Sequence, residues 1–375
     1  MKTVGIICEY NPFHTGHKYQ IEKAREMSGA DCVVAVMSGN YVQRGDVSVF
    51  SKYERAKSAL LGGADIVFEL PAYFSLKSAE GFARGAVYML GAMGVDAISF
   101  GAECDNLSLL KETAKIITEE QSDFKTHLRE NLKSGKSFAA ARSSAFSSVF
   151  GGENLILKPN NILAVEYISA LESFGIKAEI YPVLRKGCDH DSEDTSENFA
   201  SASNIRKMIS KGENAEKFAP YLPDEKPIFL KDFEPFILYA LKTATEEKLS
   251  LLDGGSDGLW QRILSLKSES LESLLADAKT KRFALSRIKR LLINLLINNN
   301  LPHNLSPSYL RALAMNETGA SFLKEGNFSL PVIVKPAKID KDDKIFALER
   351  RASSVRSLAD GFSKDDIYMS PIFIK

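Results

Sequence analysis

The stretch that most constrains this chain is TVGIICEYNPFHTGHKY, Thr3 to Tyr19. The apolar run Val4–Cys8 has the length of one buried strand. Glu9-Tyr10-Asn11-Pro12 ends it, because proline has no amide hydrogen for a neighbouring strand. His14-Thr15-Gly16-His17 follows, and from Lys18 the pattern turns helical. Two of the chain's five histidines thus sit where a strand passes into a helix. Open α/β sheets bind ligands at the carboxyl ends of their strands. Free N–H groups and the helix dipole favour an anion such as phosphate there. Gly16 would let a phosphate approach the backbone, and imidazoles can donate hydrogen bonds to its developing charge.

The rest of the first half repeats the strand-then-helix pattern. Apolar runs at 31–37, 65–70, 96–100 and 178–184 alternate with helical patterns at 18–27, 52–61, 79–93 and 162–174. This predicts an α/β fold with a doubly wound parallel sheet. Ser38-Gly39-Asn40, Gly101-Ala102-Glu103 and Arg185-Lys186-Gly187 fall at successive strand ends, so they should border one crevice. Arg185 and Lys186 there suit a triphosphate. Arg44 and Asp46 read either as an ion pair or as groups shaping the site. Ser51 caps the helix 52–61, which carries Lys52 and Arg55 near its first turn, against the dipole. They reach either a phosphate, an RNA backbone or only solvent. Two helical stretches, 107–132 and 138–149, form an insertion, a lid or docking surface. Asn160 and Asn161 precede the helix at 162. Ser201-Ala202-Ser203-Asn204-Ile205-Arg206 opens a short helix whose hydroxyls, N–H groups and arginine could hold β- and γ-phosphates.

Forty-eight basic and forty-eight acidic residues give a net charge of zero, so any RNA-binding surface must be a local patch. The proline-rich stretch 220–227 predicts a linker between residues 1–218 and a mainly helical domain, 228–375, with helices at 233–242, 259–266, 271–279, 286–298 and 307–316. In that second part Lys281, Arg282, Arg287, Lys289 and Arg290 form the densest basic cluster. Arg282 and Lys289 share a face if one helix runs through both, and Phe283 and Tyr309 could stack on bases. The four cysteines are scattered, with neither disulfide nor zinc-finger spacing. With no cationic leader and no apolar run of membrane length, the reading is a reduced, cytoplasmic protein.

The blocks GIICEYNPFHTGHKYQI, MSGNYVQRGDVSVFSKYERAKSAL, GADIVFELP, FGAE and LKPNNILAVEYI resemble the H-x-G-H nucleotidyltransferase superfamily, and within it the bacterial tRNA(Met) cytidine acetate ligases. The resemblance implies a nucleotidyltransferase-like Rossmann fold that binds ATP. Its ATP site would take Ile7, Cys8, Glu9, Tyr10, Asn11, Pro12, Phe13, His14, Thr15, Gly16, His17, Lys18, Tyr19 and Gln20. To these it adds Gly101, one of Asn160 and Asn161, Arg185, Lys186, Ser201, Ser203 and Arg206. His14, His17 and Arg206 would be catalytic, with Mg²⁺ on the departing pyrophosphate. Acetate would be activated as acetyl-adenylate and passed to the wobble cytidine of elongator tRNA(Met), held by Lys52, Arg55, Lys281, Arg282, Arg287, Lys289 and Arg290. Ala202 and Ser203 stand where the usual signature has serine and threonine, so one hydroxyl is lost there or supplied elsewhere. The residues themselves leave two other readings open: a small-molecule adenylyltransferase of the nicotinate or pantetheine type, and a non-catalytic RNA-binding factor.

Overall fold

The computed structural model describes residues 1–104, 106–119, 122–136, 138–150, 158–185, 199–360 and 366–375. Strands β1 (Thr3–Cys8), β2 (Cys32–Ser38) and β3 (Ile66–Leu70) are buried throughout. That explains their continuous apolar runs, since a parallel sheet is covered on both faces. The strands β4 (Ala97–Ala102) and β5 (Glu179–Leu184) complete a parallel set of five.

Alternate residues of these strands feed two separate cores. Val4, Ile6, Val33 and Ala35 pack under helices α1 (Thr15–Ser28) and α2 (Lys52–Leu61). Ile7, Val34 and Val36 pack on the other face under α3 (Ala79–Ala92). The predicted insertion follows as α4 (Leu107–Glu119), α5 (Ser122–Lys133) and α6 (Phe138–Phe150), and then α7 (Pro159–Phe174) joins the α3 face. The serine-rich turn opens α8 (Ala202–Ser210), and the basic cluster precedes and enters α9 (Leu285–Leu296).

Residues 307–316, expected as a helix, instead form β6 (Leu310–Met315), antiparallel to β3. A short apolar run fits strand and helix alike, and here Arg311 hides its charge inside the sheet. Strands β7 (Val332–Ile333) and β8 (Ile372–Phe373) both pair with β6. The sheet order is therefore β8-β6-β3-β2-β1-β4-β5. The C-terminal part is thus not confined to helices, because it supplies one flank of the sheet. The 220–227 segment also runs against α2 rather than standing free: Ser58 Oγ donates to the Tyr221 carbonyl (2.6 Å), and Ile228 N to Val49 O (2.8 Å).

A second departure is α10 (Lys344–Ser357), whose charged sequence hides a buried face. Its Glu349 enters a cluster centred on Lys52. Lys52 Nζ lies 2.7 Å from Glu69, 3.3 Å from Glu349 and 3.3 Å from Asp366, and Arg311 lies 3.0 Å from Glu69. Burial, and then the neighbouring Glu69, push the Glu349 carboxyl up to about 8. Arg55, one turn along α2, donates to the carbonyls of Phe50, Glu9, Ser38 and Gly39. Both cations are fully buried, so the expectation that Lys52 and Arg55 contact RNA is corrected. Their position against the helix dipole is satisfied from within the protein. Among the described residues no helix is long and apolar enough to cross a membrane.

Lys52→Met removes the cation that Glu69, Glu349 and Asp366 share, leaving Arg311 beside Glu69 alone. Removing one partner of a buried pair costs about 3–5 kcal/mol. A loss of that size in the unfolding free energy, read from urea titration, is the expected outcome.

Candidate active site

Strand order reverses between β1 and β4, which opens a crevice at their carboxyl ends. Here the sequence turns sharply. Tyr10 takes a positive φ of 46°, and the Asn11–Pro12 bond is cis. His14 then caps α1, its Nδ1 accepting from Gly16 N (3.1 Å), while His17 Nδ1 accepts from His14 N (3.3 Å). The two imidazoles stack with centroids 3.6 Å apart. A ring nitrogen that accepts an N–H bond carries no proton of its own. Each neutral ring therefore bears its hydrogen on Nε2, as a donor. Tyr10 and Phe13 pack behind them, with ring centroids 4.9 Å apart and Tyr10 4.7 Å from His17.

Gly16 is required by this pose. A Cβ there would lie 2.9 Å from His14 Cε1, closer than side chains tolerate. Across the crevice Ser201 caps α8, accepting from Asn204 N (3.1 Å) and contacting Ser203 Oγ (3.1 Å). Arg206 reaches back to the Asn11 carbonyl (2.8 Å), which joins the two signatures directly. Burial draws the Arg206 guanidinium below its usual range, against the pull of Asp46 and Glu9. Glu9 accepts from Gln43 N (2.6 Å) and is pushed up by burial, while Arg44 opposes that rise.

A cavity of about 800 Å³ contains this constellation. Ile7, Cys8, Glu9, Tyr10, Asn11, His14, Gly16, His17, Tyr19 and Gln20 all line it, as do Gly101, Arg185, Ser201 and Arg206. The two asparagines divide. Asn160 lines the cavity, while Asn161 is fully buried, its Oδ1 accepting from Glu103 N (2.9 Å) and Cys104 N (3.2 Å). Other expected contacts serve the scaffold. Phe13 is core, wedged against Gly62, and Thr15 N is tied to Phe218 O (2.8 Å). Lys18 stands over the Tyr221 ring (5.9 Å), and Pro12 and Ser203 do not face the cavity. Lys186 lies outside the described residues.

The basic cluster splits as well. Thr280–Phe283 form a turn, so Arg282 and Lys289 do not share a helix. Lys289 pairs with Asp46 (2.9 Å), and Arg290 donates to Gln43 O (3.0 Å). Arg287 donates to Gly254 O (3.0 Å) and pairs with Asp257 (3.1 Å). Lys281 and Arg282 stay exposed. Phe283 and Tyr309 are buried and closed to stacking on a base. Arg282, Arg287 and Arg290 nevertheless line the same cavity as the histidines. Among the described residues, seven arginines against five carboxylates line it, a positive balance suited to a polyanion. The linear pattern could not show that the 253–257 loop, Arg142 and Glu166 also face it, because only folding brings them there.

Stacked Nε2–H donors at a strand end, with a serine-arginine turn opposite, define a nucleotidyltransferase site. The chain belongs to the HIGH Nucleotidyl Transferase family, whose model matches residues 1–367. It is 38% identical to the tRNA(Met) cytidine acetate ligase of Caldicellulosiruptor saccharolyticus, over 96% of this chain and 94% of that protein. It is 35% identical to the protein of that name from Listeria monocytogenes, over 99% of each. The crystal structure of Thermotoga maritima TmcAL without ligand superposes with a TM-score of 0.89 at 30% identity, covering 100% of both chains. The form of that protein bound to alpha-thio ATP superposes at 0.87.

Gly16→Ala displaces the His14 ring while leaving the core untouched. A loss of ATP turnover of about tenfold or more, with little change in melting temperature, is expected on that account.

Proposed function

We propose that this chain is an ATP-dependent ligase that activates acetate as acetyl-adenylate and acetylates N4 of the wobble cytidine of elongator tRNA(Met). The observation that carries the reading is the stacked His14–His17 pair, opening into one cavity with Arg206 and an arginine-lined wall. The names of the relatives and the nucleotide-bound neighbour support ATP and tRNA as substrates. Cytoplasm, where tRNA is found, is the compartment this reading assigns.

In the first step an acetate oxygen attacks the α-phosphorus, and the bond from it to the β-bridging oxygen breaks. The Nε2–H groups of His14 and His17 stabilise the α-phosphate oxygens as charge builds. Arg206 and the start of α8 receive the pyrophosphate. In the second step the cytidine amine attacks the acetyl carbonyl carbon. The carbon–oxygen bond to AMP breaks, and the amine gives up one proton. Positioning and electrostatics supply the rate, with no side-chain nucleophile. Mg²⁺ suits the oxygens of a triphosphate and would neutralise the charge of the leaving pyrophosphate.

Lys281 and Arg282, exposed beside the cavity, are our choice for the RNA backbone, with Arg287 on the wall behind them. Purified protein should form AMP from ATP only when acetate is present, and digested tRNA should contain N4-acetylcytidine. AMP that depends on a different acid overturns acetate as the substrate. His17→Ala should slow AMP formation by about 10²–10³, the usual worth of one such donor, and keep tRNA affinity. Lys281→Glu with Arg282→Glu should do the reverse. It should weaken tRNA binding and make the log–log dependence of affinity on salt shallower, by about 0.7–0.9 for each phosphate no longer neutralised. Normal tRNA binding by that double variant places the RNA surface elsewhere.

A further inference from the structure

The cavity does not end at the histidines. It continues on the α3–α7 face of the sheet into a chamber walled by Phe82, Phe100, Phe146 and Tyr167. Phe100 and Tyr167 stand 5.6 Å apart, inclined at 44°. Cys8 and Glu9 line the same cavity as Tyr167, so the chamber abuts the end of β1. One ion pair lines the same cavity. Arg142 of α6 donates to Glu166 of α7, with side chains 15% and 3% exposed.

A buried ion pair contributes little net stability, so a structural staple is a weak account of it. Its unspent hydrogen-bonding capacity says more. Among the described residues neither side chain makes a further hydrogen bond, which leaves one Glu166 oxygen and several Arg142 N–H groups for a ligand. A flat ligand is required, with a donor beside acceptors along one edge.

We propose that this chamber receives a cytosine base turned out of its RNA strand, with the aromatic rings against its faces and the Arg142–Glu166 pair on its Watson–Crick edge. The proposal rests on the reading above, in which a cytidine is the acceptor. Cytosine presents the N4–H donor next to the N3 and O2 acceptors. The carboxylate accepts from N4–H, and the guanidinium donates to N3 and O2. Uracil reverses the first two positions, setting O4 against the carboxylate and N3–H against the guanidinium. The pair therefore rejects uracil by unmatched polar groups, the strongest kind of discrimination a site has. Turning the base out costs a few kcal/mol at most in an unpaired loop. The nucleotide phosphates would lie at the start of α1, on the opposite face. The amine would then approach the adenylate across the end of β1.

The test separates the two half-reactions in Glu166→Gln and Arg142→Lys. Acetate-dependent exchange of pyrophosphate into ATP reads the first, and acetyl transfer to a tRNA(Met) transcript reads the second. In Glu166→Gln, exchange should stay within about twofold while kcat/KM for transfer falls about a hundredfold. A transcript with uridine at the wobble position should also become a better competitor, its affinity approaching that of the cytidine form. Arg142→Lys keeps the charge but loses the planar fork, and should show a smaller fall in transfer alone. It carries the test if Glu166→Gln fails to fold by circular dichroism. Transfer at wild-type rates in the folded variants overturns the proposal. Exchange falling in step with transfer also overturns it, by assigning the chamber to the nucleotide. Wild-type protein with no acetate-dependent exchange overturns the underlying reading, and the cytosine assignment falls with it.

Discussion

Two buried cations on the first turn of α2 hold the catalytic end of the sheet together. Lys52 is surrounded by carboxylates from β3, α10 and the segment at 366, and Arg55 gathers carbonyls from the ends of β1 and β2. Neither charge can leave without stranding its partners in a low-dielectric interior. The loops that follow β1 and β2 are therefore fixed from below, and the histidines and the small two-stranded ribbon of residues 41–47 stand on that foundation. Arg290 and Lys289 then grip the ribbon from the other side.

Above this base, the catalytic geometry belongs to a helix start rather than to side chains alone. Backbone N–H groups choose the tautomer of both imidazoles, and stacking fixes the angle between them. A donor placed in this way needs no reorganisation as charge develops, which is the condition for strong electrostatic catalysis. Gly16 is small because His14 occupies the space its side chain would need. Arg206 completes the arrangement by bonding to the Asn11 carbonyl, so the two distant signatures share a direct contact.

Much of this was legible in one dimension. The strands up to 184 and the helices between them announced themselves by apolar runs and breaks, and His14, His17 and Arg206 fell at recognisable turns. Charge was where linear reading failed. Lys52, Arg55, Arg311, Glu349 and Arg356 look like solvated positions, yet all lie inside, because their partners come from distant parts of the chain. The same long-range pairing turned an expected helix at 307–316 into β6. Asn160 and Asn161 are adjacent and chemically identical, and only the path of α7 decides which one faces the cavity. The basic cluster was found by density, but density could not show that Lys289 and Arg290 are consumed by the ribbon.

The pairing of Lys52 with Asp366 also bears on how the protein is made. A ribosome releases α2 and the histidine loop early, but Glu349 lies 297 residues beyond Lys52 and Asp366 later still. Until both have emerged the nascent sheet still lacks β8, and of the three carboxylates around Lys52 only Glu69 is certain to be present. The catalytic loops can be translated complete and still rest on an unfinished foundation. A chain halted short of residue 366 carries His14, His17 and Arg206 and lacks part of the charge cluster beneath them. The catalytic end of the sheet therefore acquires its full set of buried charge pairs only when α10 and the segment at 366 have docked on α2.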